Sequence, residues 1–123
     1  MKLSEPVLEE LGRMVVGDAK HFPYRSSQFI TRFFARCGFT FVHDESTRAI
    51  WAQERLADLN LGAAQSADLP SSDLCRVISE LFDADDFERH NDKYKEDTPD
   101  YLSNVQLALA SFNKLVQRHG LVA

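Results

Sequence analysis

SSQFITRFFARCG, residues 26–38, decides the fold. Phe29, Ile30, Phe33, Phe34 and Cys37 recur at helical spacing and make one apolar stripe, with Ser26 or Ser27 as the N-cap and Gly38 as the stop. Three phenylalanines on one short stripe must be covered, so the rest of the chain has to supply matching faces. Upstream, Ser4-Glu5-Pro6 reads as a helix start, followed by Val7, Leu8, Leu11, Met14 and Val15 on one face and Gly17 as the stop. Residues 18–25, with Pro23, form a loop. Downstream, Phe39-Thr40-Phe41-Val42 has strand-like composition but no partner strand, and it reads as an extended connector whose phenylalanines plug the core.

A third helix is expected over residues 47–59, capped by Ser46, with Ala49, Trp51, Ala52, Leu56 and Leu59 inward. The Ala/Ser-rich stretch 61–70 is a surface loop. Ser71 or Ser72 opens a fourth helix with Leu74, Val77, Ile78, Leu81 and Phe82 on one face. A short helix is expected around Phe87. Thr98-Pro99-Asp100 then starts a last helix carrying Leu102, Val105, Leu109, Phe112 and Val116, ended by Gly120. The reading is all-α: a compact bundle of five to six helices in one domain, residues 1–123.

With 123 residues the chain is long enough for one core without staples. Two cysteines, Cys37 and Cys75, belong to no CxxC pair and fall at apolar helical positions, so they read as buried reduced thiols of a cytoplasmic protein. The N-terminus carries Glu5, Glu9 and Glu10 where a signal peptide needs an apolar run, and no stretch is apolar enough to span a bilayer.

The formal net charge is −5, which argues against a dedicated nucleic-acid binder. Its distribution says more. Residues 19–42 hold Lys20, Arg25, Arg32 and Arg36 and no acid, whereas residues 83–100 hold eight acids against Arg89, Lys93 and Lys95. Arg32 and Arg36, at i and i+4, repel one another on an exposed face unless acids meet them.

Little here resembles a catalytic site. There is no glycine-rich phosphate loop and no HExxH pair. His43-Asp44-Glu45 reads as a solvated turn, and Asp83, Asp85, Asp86 and Glu88 lack the central Gly and terminal Glu of a calcium loop. No metal and no cofactor is expected. Arg36 and His43 are spaced as in the Rx4–6H motif of HEPN ribonucleases, but Cys37 follows the Arg and Gly38 ends the helix between them. This spacing, with the basic 19–42 face, leaves a small helical ribonuclease or RNA-binding domain as the alternative. Arg48, a cation in a first helical turn, opposes the helix dipole and calls for a carboxylate, Asp44 or an acid of 83–100.

Three segments share a pattern: Tyr24-Arg25-Ser26-Ser27 with Phe29, Phe33 and Phe34 leading to Gly38-Phe39; Ser46-Thr47-Arg48 with Trp51, running to Leu59-Asn60; and ALASFNKLVQRHGL, residues 108–121. Together they resemble the small helical N-terminal domains of bacterial abortive-infection proteins of the AbiJ type and related anti-phage effectors. The stretch 83–98 and the Ala/Ser-rich loop are not part of that pattern. A second neighbour is the CARD-like bacterial death-fold domain, a helical bundle that assembles through opposed charged faces. The resemblance implies a non-catalytic adaptor domain for sensing or oligomerisation, with a protein partner that includes further copies of itself. The residues expected at the contact are Arg25, Arg32, Arg36, Arg48, Asp85, Asp86 and Glu88.

Overall fold

The structure is a computed structural model that describes residues 2–19, 22–62, 70–82 and 101–118. Within them lie five helices and no strand: α1 (Glu5–Val16), α2 (Ser27–Arg36), α3 (Arg48–Asn60), α4 (Ser72–Glu80) and α5 (Tyr101–Arg118). The all-α bundle is as the periodicity requires. The expected helix around Phe87, the Ala/Ser-rich loop tip, the Thr98-Pro99-Asp100 start and the Gly120 stop lie outside the described residues.

The tightest crossing is that of α1 on α3. It turns on Gly12, where a Cβ would lie 3.1 Å from the backbone nitrogen of Gln53 and 3.2 Å from the carbonyl oxygen of Ala49. Backbone meets backbone there, and Leu8, Leu11 and Val15 on one helix and Ala52, Leu56 and Leu59 on the other are all buried in the common core. The chain before α1 is fastened to the end of α3. The Leu3 N–H donates to Asn60 Oδ1 at 3.0 Å and Asn60 Nδ2 donates to the Leu3 carbonyl at 3.0 Å.

Gly17 ends α1 in the left-handed region, φ +83°, where a side chain would collide with the Pro23 carbonyl. Its N–H bonds the Met14 carbonyl, and the Asp18 N–H bonds that of Arg13, a Schellman arrangement. The last two carbonyls of α1 are taken by Arg25: its backbone N–H donates to Val16 at 3.0 Å and its Nη1 to Val15 at 2.8 Å. All four end carbonyls of the helix are thereby satisfied.

α2 buries Ile30, Phe33 and Phe34. Phe34 sits at the centre of an aromatic group, edge-on to Phe33, Phe41 and Trp51 at 5.4, 5.5 and 5.7 Å between centroids. The connector is extended, and Phe39 and Phe41 stack on one another against the core. Ser71 joins α3 to α4 through one hydroxyl, which donates to the Leu59 carbonyl at 2.8 Å and accepts from the Leu74 N–H at 3.2 Å. Leu74, Val77 and Leu81 are fully buried, with Ile78 and Phe82 packed beside them.

Two details differ from the sequence reading. The N-cap of α3 is Thr47, because Ser46 turns its N–H and hydroxyl to the Asp44 carboxylate instead. On α5, among the described side chains, Leu115 is buried, Phe112 is half-buried against Phe82 and Leu109 is exposed. That helix carries apolar residues on more than one side, so period alone does not choose the covered one. The side chains of Leu102, Val105 and Val116 are outside the described set.

In an open helix Gly→Ala gains roughly 1 kcal/mol from backbone entropy. At Gly12 the neighbours are helix backbone that cannot swing aside, so overpacking of about 1–3 kcal/mol outweighs that gain. Gly12→Ala should therefore lower the urea midpoint, measured by circular dichroism.

Candidate functional site

The charged residues singled out in the sequence are placed apart from one another. The placement of Arg25 at a contact surface is corrected: it is only 1% exposed. Its guanidinium, bonded to α1, lies 4.5 Å over the ring of Phe33. An ion of this size is kept inside only where its donors and its face are both engaged, so Arg25 is a structural bolt between α1 and α2.

Arg48 does have its carboxylate, but it is Asp18, at 3.0 Å, and not Asp44. The guanidinium also lies 4.4 Å over the ring of Tyr24. The first turn of α3 is thus latched to both sides of the α1–α2 loop. Asp44 serves Ser46, whose two hydrogen bonds hold its carboxyl below the usual range.

His43 is buried beside Trp51, ring edge to face at 5.1 Å. Nε2 lies 2.8 Å from the Ser46 carbonyl, which can only accept, so that nitrogen carries the proton. Nδ1 lies 2.6 Å from Ser27 Oγ, and the His43 backbone N–H donates to Thr31 Oγ1. Ser27 opens α2 and Arg36 closes it, about 14 Å apart along the axis at 1.5 Å per residue. Arg36 in turn gives its Nε to Glu80 at 2.7 Å. The two residues of the Rx4–6H spacing are therefore held at opposite ends of one helix by different partners.

Apart from these lies a surface feature that the sequence reading missed. An open trough of about 580 Å³ runs between the C-terminal end of α2 and α4, lined by Arg36, Cys37, Gly38, Ser72, Cys75, Arg76, Ser79 and Glu80. On α4 the lining residues Ser72, Arg76 and Ser79 sit at i, i+4 and i+7, on the side away from Leu74, Val77 and Leu81. That spacing of small hydroxyls around one arginine is readable in the sequence. Cys37 forms part of the floor. Burial pushes its thiol up to about 12, with the Glu80 carboxylate adding to the effect and Arg36 opposing it.

The charges in the trough do not cancel. Arg36 and Glu80 neutralise one another, whereas the Arg76 guanidinium has no carboxylate within salt-bridge distance among the described residues. On the exposed side of α2, Arg32 lies 5.4 Å over the Phe29 ring and likewise has no acid beside it among the described residues. Asp85, Asp86 and Glu88 lie outside the described residues. Among those described, no three His, Cys, Asp or Glu side chains are grouped to hold a metal, and no helix is long and apolar enough to cross a membrane. No family model, curated protein or solved structure matches the chain.

Two outcomes follow from these burials. In the native chain Cys37 should resist iodoacetamide at pH 8 and label only as the protein unfolds, read by mass spectrometry. Its folded thiol titrates above the free value of 9.0, so its stabilising contribution is intact below pH 9 and is lost as pH rises toward 12. His43→Ala strands the Ser46 carbonyl and empties the space against Trp51, and should cost roughly 1–3 kcal/mol in urea denaturation.

Proposed function

We propose that this chain is a non-catalytic protein-interaction domain, serving oligomerisation or sensing in a bacterial anti-phage, abortive-infection system, and that charge directs its contacts. One observation carries the interaction reading. Arg32 and Arg76 present guanidiniums with no acid beside them among the described residues, on a chain whose residues 83–100 hold eight acids against three bases.

The defence setting rests on the resemblance of sequence. The residues that carry it are ones on which this bundle depends: Arg25 bolts α1 to α2, Phe33 and Phe34 fill the centre, and Arg48 and Trp51 fix the start of α3. The chemistry-bearing side chains that might argue for an enzyme have structural employment. His43 has both ring nitrogens engaged, and Cys37 keeps its proton at neutral pH. The partner is a protein, with a second copy foremost. Of the arginines expected at the contact, Arg32 would stand on the basic side together with Arg76, since Arg36 and Arg48 already hold Glu80 and Asp18; Asp85, Asp86 and Glu88 would stand on the acidic side. Such a head-to-tail contact is heterologous and propagates into rings or filaments. We place the domain in the cytoplasm and leave nucleic acid out of its partners.

The test is sedimentation at high protein concentration. Self-association should weaken between about 50 and 300 mM salt, as the Debye length shortens from about 14 Å to about 6 Å. Arg32→Glu should raise the dissociation constant roughly three- to tenfold with the melting temperature unchanged. Arg32 is the cleaner position, since a carboxylate at 36 would face Glu80 and disturb α4. A monomer at every salt concentration would end the self-assembly reading and leave only an unlike protein partner.

A further inference from the structure

We infer that the trough between α2 and α4 is a binding site for an acidic peptide segment, anchored by Arg76. The inference rests on the interaction reading above and gives it a location and a partner chemistry. Three features of the trough carry it.

The first is charge. Arg36 and Glu80 are bound to one another at 2.7 Å, so the trough's unspent charge is the Arg76 guanidinium. An arginine presents a planar fork that takes a carboxylate through two hydrogen bonds. The second is the floor. Gly38 has no side chain, and a Cβ there would lie 3.5 Å from Arg76 Nη1, an ordinary contact distance, so the guanidinium is beside an open stretch of backbone. The third is the wall. Ser72 and Ser79 flank Arg76 on α4 with short hydroxyl side chains, which can donate to and accept from the backbone of an extended chain lying close to the helix.

The same features separate a peptide from other anions. A small free anion is held by several donors converging on one point, whereas this open trough offers, among the described residues, one guanidinium without a carboxylate beside it. A nucleic-acid strand carries a phosphate at every step and needs a row of cations, yet Glu80 stands in the lining. A peptide with spaced carboxylates and neutral backbone between them fits both the one cation and the hydroxyl-lined wall.

The probe is a labelled synthetic peptide of this chain's own residues 83–98, DADDFERHNDKYKEDT, titrated into the full chain by fluorescence anisotropy at about 50 mM salt. Binding should be saturable. It should weaken roughly tenfold in both Arg76→Ala and Arg76→Glu, and be unchanged in Arg13→Ala, an exposed arginine of α1. Arg76 is exposed, so the melting temperature of its variants should match wild type. The inference is overturned if the peptide does not bind, if the Arg76 variants bind it as well as wild type, if a peptide with Asp and Glu replaced by Asn and Gln binds equally, or if an oligothymidine of the same length binds more tightly. Salt-sensitive self-association that survives in Arg76→Glu also sinks it while leaving the interaction reading intact. Arg76-dependent peptide binding by a strictly monomeric chain upholds the trough and ends only the self-assembly reading.

Discussion

A buried guanidinium organises this bundle. Arg25 leaves the α1–α2 loop and turns inward, where it closes the carbonyl end of α1 and supports the face of Phe33. Removing such an ion from water costs several kcal/mol unless its donors and its surface find partners. The Val15 carbonyl oxygen at the end of α1 is a suitable partner, because the negative end of the helix dipole is there. Lysine at this position would carry the charge without the flat surface that the ring requires. Once Arg25 is in place the angle between α1 and α2 is set, and with it the position of the aromatic group that α3 and the connector complete.

The remaining polar contacts repeat that logic on a smaller scale. Each joins two elements through a single side chain. Asn60 holds the N-terminal strap, Ser71 spans α3 and α4, and Arg48 grips the loop after α1. His43 clasps Ser27 and Ser46 and so stitches the start of α2 to the entry of α3. The trough between α2 and α4 differs, because its Arg76 has no carboxylate within salt-bridge distance among the described residues.

The helices and their inward faces were legible because hydrophobic period is a local signal, and in α1, α2 and α4 only one face is apolar. The extended connector followed from the absence of any second strand to pair with. The choice of face on α5 was not legible, since Leu107, Leu109, Phe112 and Leu115 do not share a side. Nor was the fate of Arg25, because charge and loop position both argue for solvent, and only the three-dimensional neighbourhood of α1's end and Phe33 reverses that. The need of Arg48 for a carboxylate was correctly inferred from the dipole, but Asp18 is thirty residues away in sequence and no local rule selects it. The trough escaped notice for a similar reason: Arg36, Gly38 and Arg76 come from separate elements that only the fold brings together.

Gly12 has a mechanical consequence. Where α1 crosses α3 the two main chains touch with no side chain interposed, and a main-chain contact has no rotamers with which to absorb a displacement. Those two helices must travel as one stiff piece. α4, by contrast, is attached through the Ser71 hydroxyl, the Arg36–Glu80 ion pair and apolar side chains, all of which can adjust, and this makes it the compliant wall of the domain. A load applied in the trough would be taken up as a tilt of α4 about Ser71, and the α1–α3 pair would act as the frame against which that tilt is measured.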